Sequence, residues 1–280
     1  MKRNVLFLAL LAVVVSGCSR DETRPGVQPR KSAPSTDGAP PREAESAGPR
    51  AERTLWNPDL GTASIAGVVR FVGSVKPPGP LDTSSTPQCV RINRGPILDE
   101  SLIVGPEGGL KNVVVWIRKG LEKWEFPPPT EPAVVDQKGC KFEPHVLAVR
   151  VGQEIRIRNS DPLIHNVHAL PKRNTSFNFT QAQQGMEDVR TFERPETMIP
   201  IRCDIHPWMV CYVTVVPHPF FAVTGEDGWF DLAGLPSGEY TVEAIHERLG
   251  RLRRTVSVSE GQRVQLAFVF HESPDAKTQQ

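Results

Sequence analysis

Short runs in which apolar and polar residues alternate, each closed by glycine or proline, fill the chain from residue 62 onwards and leave little choice of fold class. A period of two puts every second side chain on one face of an extended strand, which suits a sheet with one face buried. Segments 64–72, 112–118, 146–151, 154–159, 165–170, 198–203, 210–216, 229–232, 240–246, 252–259 and 263–270 read this way, many of them rich in Val and Ile. Between them stand turn residues: Gly105 with Gly108 and Gly109, Asp227 with Gly228, Pro236 with Ser237 and Gly238, and Gly261. The 27 prolines fit loops and strand ends, not helix interiors. Only residues 180–189 suggest a helix, and a short one. An all-β protein is expected.

The N-terminus has a different composition. Lys2 and Arg3 precede an apolar run over residues 5–15, too short for an ordinary membrane span but suited to a signal-peptide core. It ends in Val15-Ser16-Gly17-Cys18, which resembles the lipobox of bacterial lipoproteins. That resemblance implies removal of residues 1–17, a lipid on Cys18 and a cell-envelope location facing the periplasm. Ser19 resembles the pattern of lipoproteins sent to the outer membrane. Residues 18–61, rich in Pro, Ser, Gly and charge, read as a disordered tether, and 273–280 as a tail. Lys plus Arg (33) nearly balances Asp plus Glu (32), with no basic cluster interleaved with aromatics, so a nucleic-acid groove is not expected.

Chemistry concentrates in Cys203-Asp204-Ile205-His206-Pro207-Trp208-Met209, where a thiol, an imidazole and a thioether recur at every third residue just before a strand. Copper that alternates between two oxidation states is held by one Cys thiolate, two His nitrogens and a weak axial Met. The loop supplies three of these, and Ile164-His165-Asn166-Val167-His168 offers the second histidine. On a strand, residues 165 and 167 share one face and 168 takes the other, so His165 is the expected ligand. Zinc also accepts Cys and His, and a metal-free packed cluster is the further alternative; the thioether of Met209 favours copper. His145, His218, His246 and His271 lack partners at ligand spacing and read as surface or strand-end residues.

Residues 134–216 resemble small cupredoxins, amicyanin and plastocyanin above all. The resemblance rests on Val134-Val135-Asp136, Phe142-Glu143-Pro144, Val151-Gly152, Asn159, His165-Asn166-Val167 and the Cys203–Met209 loop. It implies a Greek-key β-sandwich (131–217) with a type 1 copper held by His165, Cys203, His206 and Met209. It also implies that Asn159 ties the first ligand loop to the Cys203 loop, and that electrons leave at an apolar rim that would include Trp208, Pro207 and Leu163. Where amicyanin and plastocyanin often carry proline this chain has Ile205, whose N–H is expected to donate to the Cys203 thiolate and raise the reduction potential.

A second resemblance flanks the first. Residues 222–232 and 234–242 are similar to carboxypeptidase-regulatory-like (transthyretin-like) domains, whose usual opening strands match 65–69 and 111–117. About 50 C-terminal residues alone would make a marginal domain. A discontinuous seven-stranded sandwich, 62–124 with 219–272, is therefore expected to carry the metal domain as an insertion; a simple tandem is the rival. The function implied is one-electron transfer, not enzymatic, with a redox partner such as a c-type cytochrome or a periplasmic oxidoreductase. The alternatives are copper delivery, or an envelope-binding module with a vestigial site. Of the four cysteines beyond Cys18, Cys203 is assigned to the metal, and Cys89 with Cys140, both in turn-rich stretches, is the favoured disulfide; free thiols are the alternative. Cys211 is expected to be a packed thiol.

Overall fold

The computed structural model describes residues 53–272; the signal segment, Cys18, most of the tether and the tail lie outside the described residues. The strands are β1 (Thr54–Leu55), β2 (Ala63–Val72), β3 (Val114–Lys119), β4 (Trp124–Glu125), β5 (Ala133–Gln137), β6 (Phe142–Glu143), β7 (Val146–Arg150), β8 (Ile155–Asn159) and β9 (His165–Ala169). They continue with β10 (Phe177–Gln181), β11 (Glu187–Arg190), β12 (Glu196–Arg202), β13 (Val210–Val216), β14 (Phe221–Val223), β15 (Trp229–Leu235), β16 (Gly238–His246), β17 (Gly250–Val258) and β18 (Arg263–His271). One seven-residue helix, α1 (Pro87–Asn93), stands among them. The protein is all-β. The helix suggested over 180–189 is instead the end of β10, a turn and β11, because Phe177 and Phe179 stack beneath Arg190 across that turn.

Two sandwiches result. Sheets ordered β10-β9-β12-β13-β7 and β11-β8-β5-β6 enclose a core of Val135, Ile155, Ile157, Val167, Ile199 and Val213, among others. Sheets ordered β14-β3-β16-β17 and β15-β2-β18 enclose another, around Ile65, Val115, Phe230, Tyr240, Val242 and Phe268. Strands β2 and β3 precede the metal segments in sequence and pair with strands that follow them: β2 with β15 and β18, β3 with β14 and β16. The outer faces of the two sandwiches meet through Val114, Trp116, Val146, Ala148, Val216 and Ile245.

Residues 54–60, expected in the tether, are part of the folded unit. Trp56 packs against Trp124, Phe126 and Phe220, with ring centroids 5.3–5.7 Å apart, and β1 pairs with β4. The connection from β2 to β3 also departs from expectation. Leu81, Cys89 and Ile97 pack on the core of the metal-segment sandwich, not on the one their flanking strands build. His218 and His246, expected at the surface, are buried. His218 donates through Nε2 to the Ile117 carbonyl at 2.6 Å, and its Nδ1 accepts from the Phe220 N–H.

Gly228, at the Asp227–Gly228 turn, takes φ +70°, and its N–H donates to the Gly225 carbonyl. A Cβ there would overlap the Val69 carbonyl oxygen, which belongs to a backbone held in β2. Gly228→Ala is thus expected to cost about 2 kcal/mol or more, since both backbone strain and a clash oppose it. Denaturant unfolding of the variant checks this, and an unchanged midpoint would contradict it.

Candidate metal centre

Strand pairing assembles the centre. In the antiparallel pair of β9 and β12, Ala169 faces Ile201 and His168 faces Arg202, so the start of β9 lies beside the loop that follows β12. That loop closes on itself before β13: the Cys203 N–H donates to the Met209 carbonyl (3.1 Å) and the Met209 N–H to the His206 carbonyl (2.9 Å). Three donors converge as a consequence. His165 Nδ1 is 3.1 Å from His206 Nδ1, which is 3.6 Å from Cys203 Sγ, and the three donor atoms lie within 4.8 Å of one another. Met209 is buried in the same core. All four sequence-expected ligands are thus buried, three of them with converging donors. His168 takes the opposite face, half-exposed, with Nδ1 3.0 Å from the Asp204 carboxylate.

The donor set fits a thiophilic transition-metal ion. Metal–nitrogen and metal–thiolate bonds of about 2.0–2.3 Å place two bound nitrogens about 3 Å apart and a nitrogen and a sulfur somewhat farther, as found between these atoms. The chemistry also fits. Burial works against ionisation of Cys203, but hydrogen bonds from His165, His206 and the Asn166 N–H outweigh it and bring the thiol down to about 6. A thiolate is what a metal needs. Cys211, two residues past Met209, is driven the other way: burial in the core pushes its thiol far up. It is a packed, protonated neighbour.

Two supporting bonds differ from expectation. Asn159 does not reach the Cys203 loop; its side chain turns back, donating to the carbonyls of Leu163 (2.7 Å) and Gln181 (3.2 Å) and accepting from the Asp161 N–H, so it shapes the turn before His165. The tie between loops comes from Asn166. Its N–H donates to Cys203 Sγ (3.3 Å), while its Oδ1 accepts from the Asp204 N–H (3.1 Å). Nor does Ile205 donate to the thiolate among the described hydrogen bonds. The loop turns it outwards, 41% exposed, and β9 running alongside Cys203 supplies the donor.

The surroundings of His206 also differ from expectation. The ring is only 2% exposed. Trp208 leans against it with centroids 5.2 Å apart and donates through Nε1 to the Cys140 carbonyl (3.1 Å), so Trp208 is a packing residue more than a rim residue. Cys140 is joined to Cys89 of α1 by a disulfide, Cα atoms 5.5 Å apart, and both sulfurs lie within 4.8 Å of a His206 nitrogen. The exposed apolar atoms nearby belong to Ile164 (45%), Ile205 and Pro207, with Leu163 half-buried.

The chain is similar over about a third of its length to several solved structures. They include a copper-containing nitrite reductase from Thermus scotoductus (22% identity over 33% of this chain and 24% of that one, TM-score 0.28). A Cu(I) amicyanin mutant is 24% identical over 32% of this chain and 86% of its own, TM-score 0.28. A purple cupredoxin from Nitrosopumilus maritimus is 23% identical over 30% and 99%, TM-score 0.27. The chain therefore spans about a quarter of the reductase's length. No protein-family model and no curated protein matches the chain.

Proposed function

We propose that the centre holds one copper ion in a type 1 site with His165, Cys203, His206 and Met209 as ligands, and that the protein carries single electrons in the bacterial cell envelope. The observation that carries this reading is the convergence of two imidazole Nδ1 atoms on an acidified, buried thiol beside a buried thioether. Copper bound there supplies a one-electron couple whose potential depends on the axial ligand and on hydrogen bonds to the thiolate.

The chain's own residues keep that couple fast. Cys203, His206 and Met209 sit on one short loop pinned by its own backbone bonds, so the donors have little freedom to rearrange when charge changes. Asn166 fixes the thiolate from the β9 side and lends it an N–H. Trp208 and the disulfide exclude water from His206. The same burial speaks against a delivery role, which needs ligands within reach of an acceptor.

Removal of residues 1–17 and a lipid on Cys18 would hold the protein on the periplasmic face of a membrane, the outer one by the Ser19 pattern. Residues 62–124 and 219–272 would form a carboxypeptidase-regulatory-like carrier around the metal sandwich. A c-type cytochrome or periplasmic oxidoreductase would dock at the patch of Leu163, Ile164, Ile205 and Pro207, a small interface suited to a transient redox encounter. Loading the apoprotein with Cu(II) is expected to yield an intense visible thiolate-to-copper band and a narrow EPR hyperfine splitting. A colourless adduct with ordinary tetragonal EPR parameters would overturn the type 1 reading.

A further inference from the structure

The carboxylate of Asp161 is buried beside the metal centre and every bond it makes is accounted for. Oδ2 lies 2.9 Å from His165 Nε2, the nitrogen turned away from Cys203. Oδ1 accepts from the Gly139 N–H and Oδ2 from the Cys140 N–H, both at 2.7 Å. These two successive amides are the cradle that holds the carboxylate: they form the centre of the tight turn between β5 and β6, closed by Lys138 and Lys141, where Gly139 and Cys140 both take positive φ, +64° and +56°. Its second residue is locked by the Cys89–Cys140 disulfide, which anchors the cradle to α1.

We propose that Asp161 is the positioning residue of the metal centre, and that the disulfide controls the centre through it. The inference rests on His165 being a ligand. An ionised Asp161 accepts the Nε2 proton, which fixes the tautomer with Nδ1 bare and aimed at the metal, and makes the imidazole a stronger donor. A stronger donor favours Cu(II) over Cu(I) and lowers the potential. Opening the disulfide by a dithiol reductant breaks the S–S bond, takes two electrons and two protons, and leaves two thiols beside a newly formed disulfide on the reductant. Cys140 is then freed from α1, the cradle loosens, and Asp161 holds His165 less firmly. The oxidation state of a structural disulfide is thereby read out as a change in the metal's affinity and potential, although the disulfide exchanges no electron with the metal.

Three proteins test this: wild type, Asp161→Asn, and Cys89→Ser with Cys140→Ser, which leaves no thiol there to bind metal. Zn(II) affinity of the apoproteins and the potential of the copper forms are measured on each. Asp161→Asn is expected to weaken Zn(II) and Cu(II) binding about 10–100-fold. Where Cu(I) binding holds, that is a rise in potential of about 60–120 mV at 59 mV per tenfold. The double variant is expected to move both quantities the same way by less. A folded Asp161→Asn protein with wild-type affinity and potential overturns the role of Asp161, and an unshifted double variant overturns the link to the disulfide. Should Asp161→Asn fail to fold, 15N-histidine spectra of the Zn(II)-loaded wild type decide: an exchange-protected Nε2 proton on His165 supports the bond, and a freely exchanging one overturns it. A wild type that lacks the thiolate-to-copper band would instead sink the copper reading itself.

Discussion

Cys203→Ser is expected to abolish the visible thiolate-to-copper band entirely while leaving the far-UV spectrum of a β protein intact. The band needs a sulfur that donates charge to copper, and a serine hydroxyl stays protonated where the Cys203 thiol is already down at about 6. The variant also replaces a soft ligand with a hard, neutral oxygen, so Cu(II) affinity should fall by more than the roughly 100-fold that loss of an outer partner costs. Cys211→Ser is the matched control. Cys211 is equally buried, but lies in the core beyond Met209 and is held protonated, so its loss should lower stability and keep the band. A band that survives Cys203→Ser, or disappears with Cys211→Ser, would mean that the thiolate has been assigned to the wrong cysteine.

Acid should unfold the protein well before its carboxylates are all protonated. Burial drives both His218 and His246 from 6.5 to about 4. Between those values the unfolded chain takes up a proton at each and the folded chain does not, so stability is lost as pH falls from about 6.5 towards 4. Each shift corresponds to about 3 kcal/mol, and the pair to about half of the stability of an ordinary domain. Among the described residues the buried Nε2 of His246 also has no hydrogen-bond partner, a cost it carries at every pH. In the metal-free protein His165 works the other way: burial depresses it, but Asp161 and Cys203 together raise it, so its contribution is full below 6.5 and fades as pH climbs through its folded value. Thermal unfolding at pH 7 and 4.5, for wild type and His218→Gln, separates these effects. The wild-type midpoint should drop steeply and the variant's markedly less; parallel losses would show that His218 does not titrate as described.

The class of fold was legible because period-two patterning is a local property, visible without knowledge of any partner strand. Parity likewise separated His165 from His168, which the structure turns to opposite faces of β9. Long-range placement was harder to read. Leu81, Cys89 and Ile97 are isolated apolar residues in a turn-rich stretch with no period, so nothing local says which of two cores they join. The bonds around the thiolate were misread for a related reason. The donor to the thiolate is the backbone N–H of Asn166, which its side-chain type does not signal; the register of β9 on β12 is what brings that N–H alongside Cys203. Asp161 carries a faint signal, an acidic residue four before His165. Its function depends on two backbone amides from residues 139 and 140, which no spacing rule connects to it.

The parallel pairing of β2 with β18 has a mechanical side. A pull applied ahead of β2 and behind β18 would load these neighbours from opposite ends, so their ladder of hydrogen bonds shears together instead of unzipping one by one. Strands β3 and β14, which lead towards and away from the metal sandwich, are themselves bonded side by side. Tension can therefore cross the molecule without entering the nine strands of the metal-segment sandwich, and the candidate ligands would keep their spacing while the rest of the chain bears the strain.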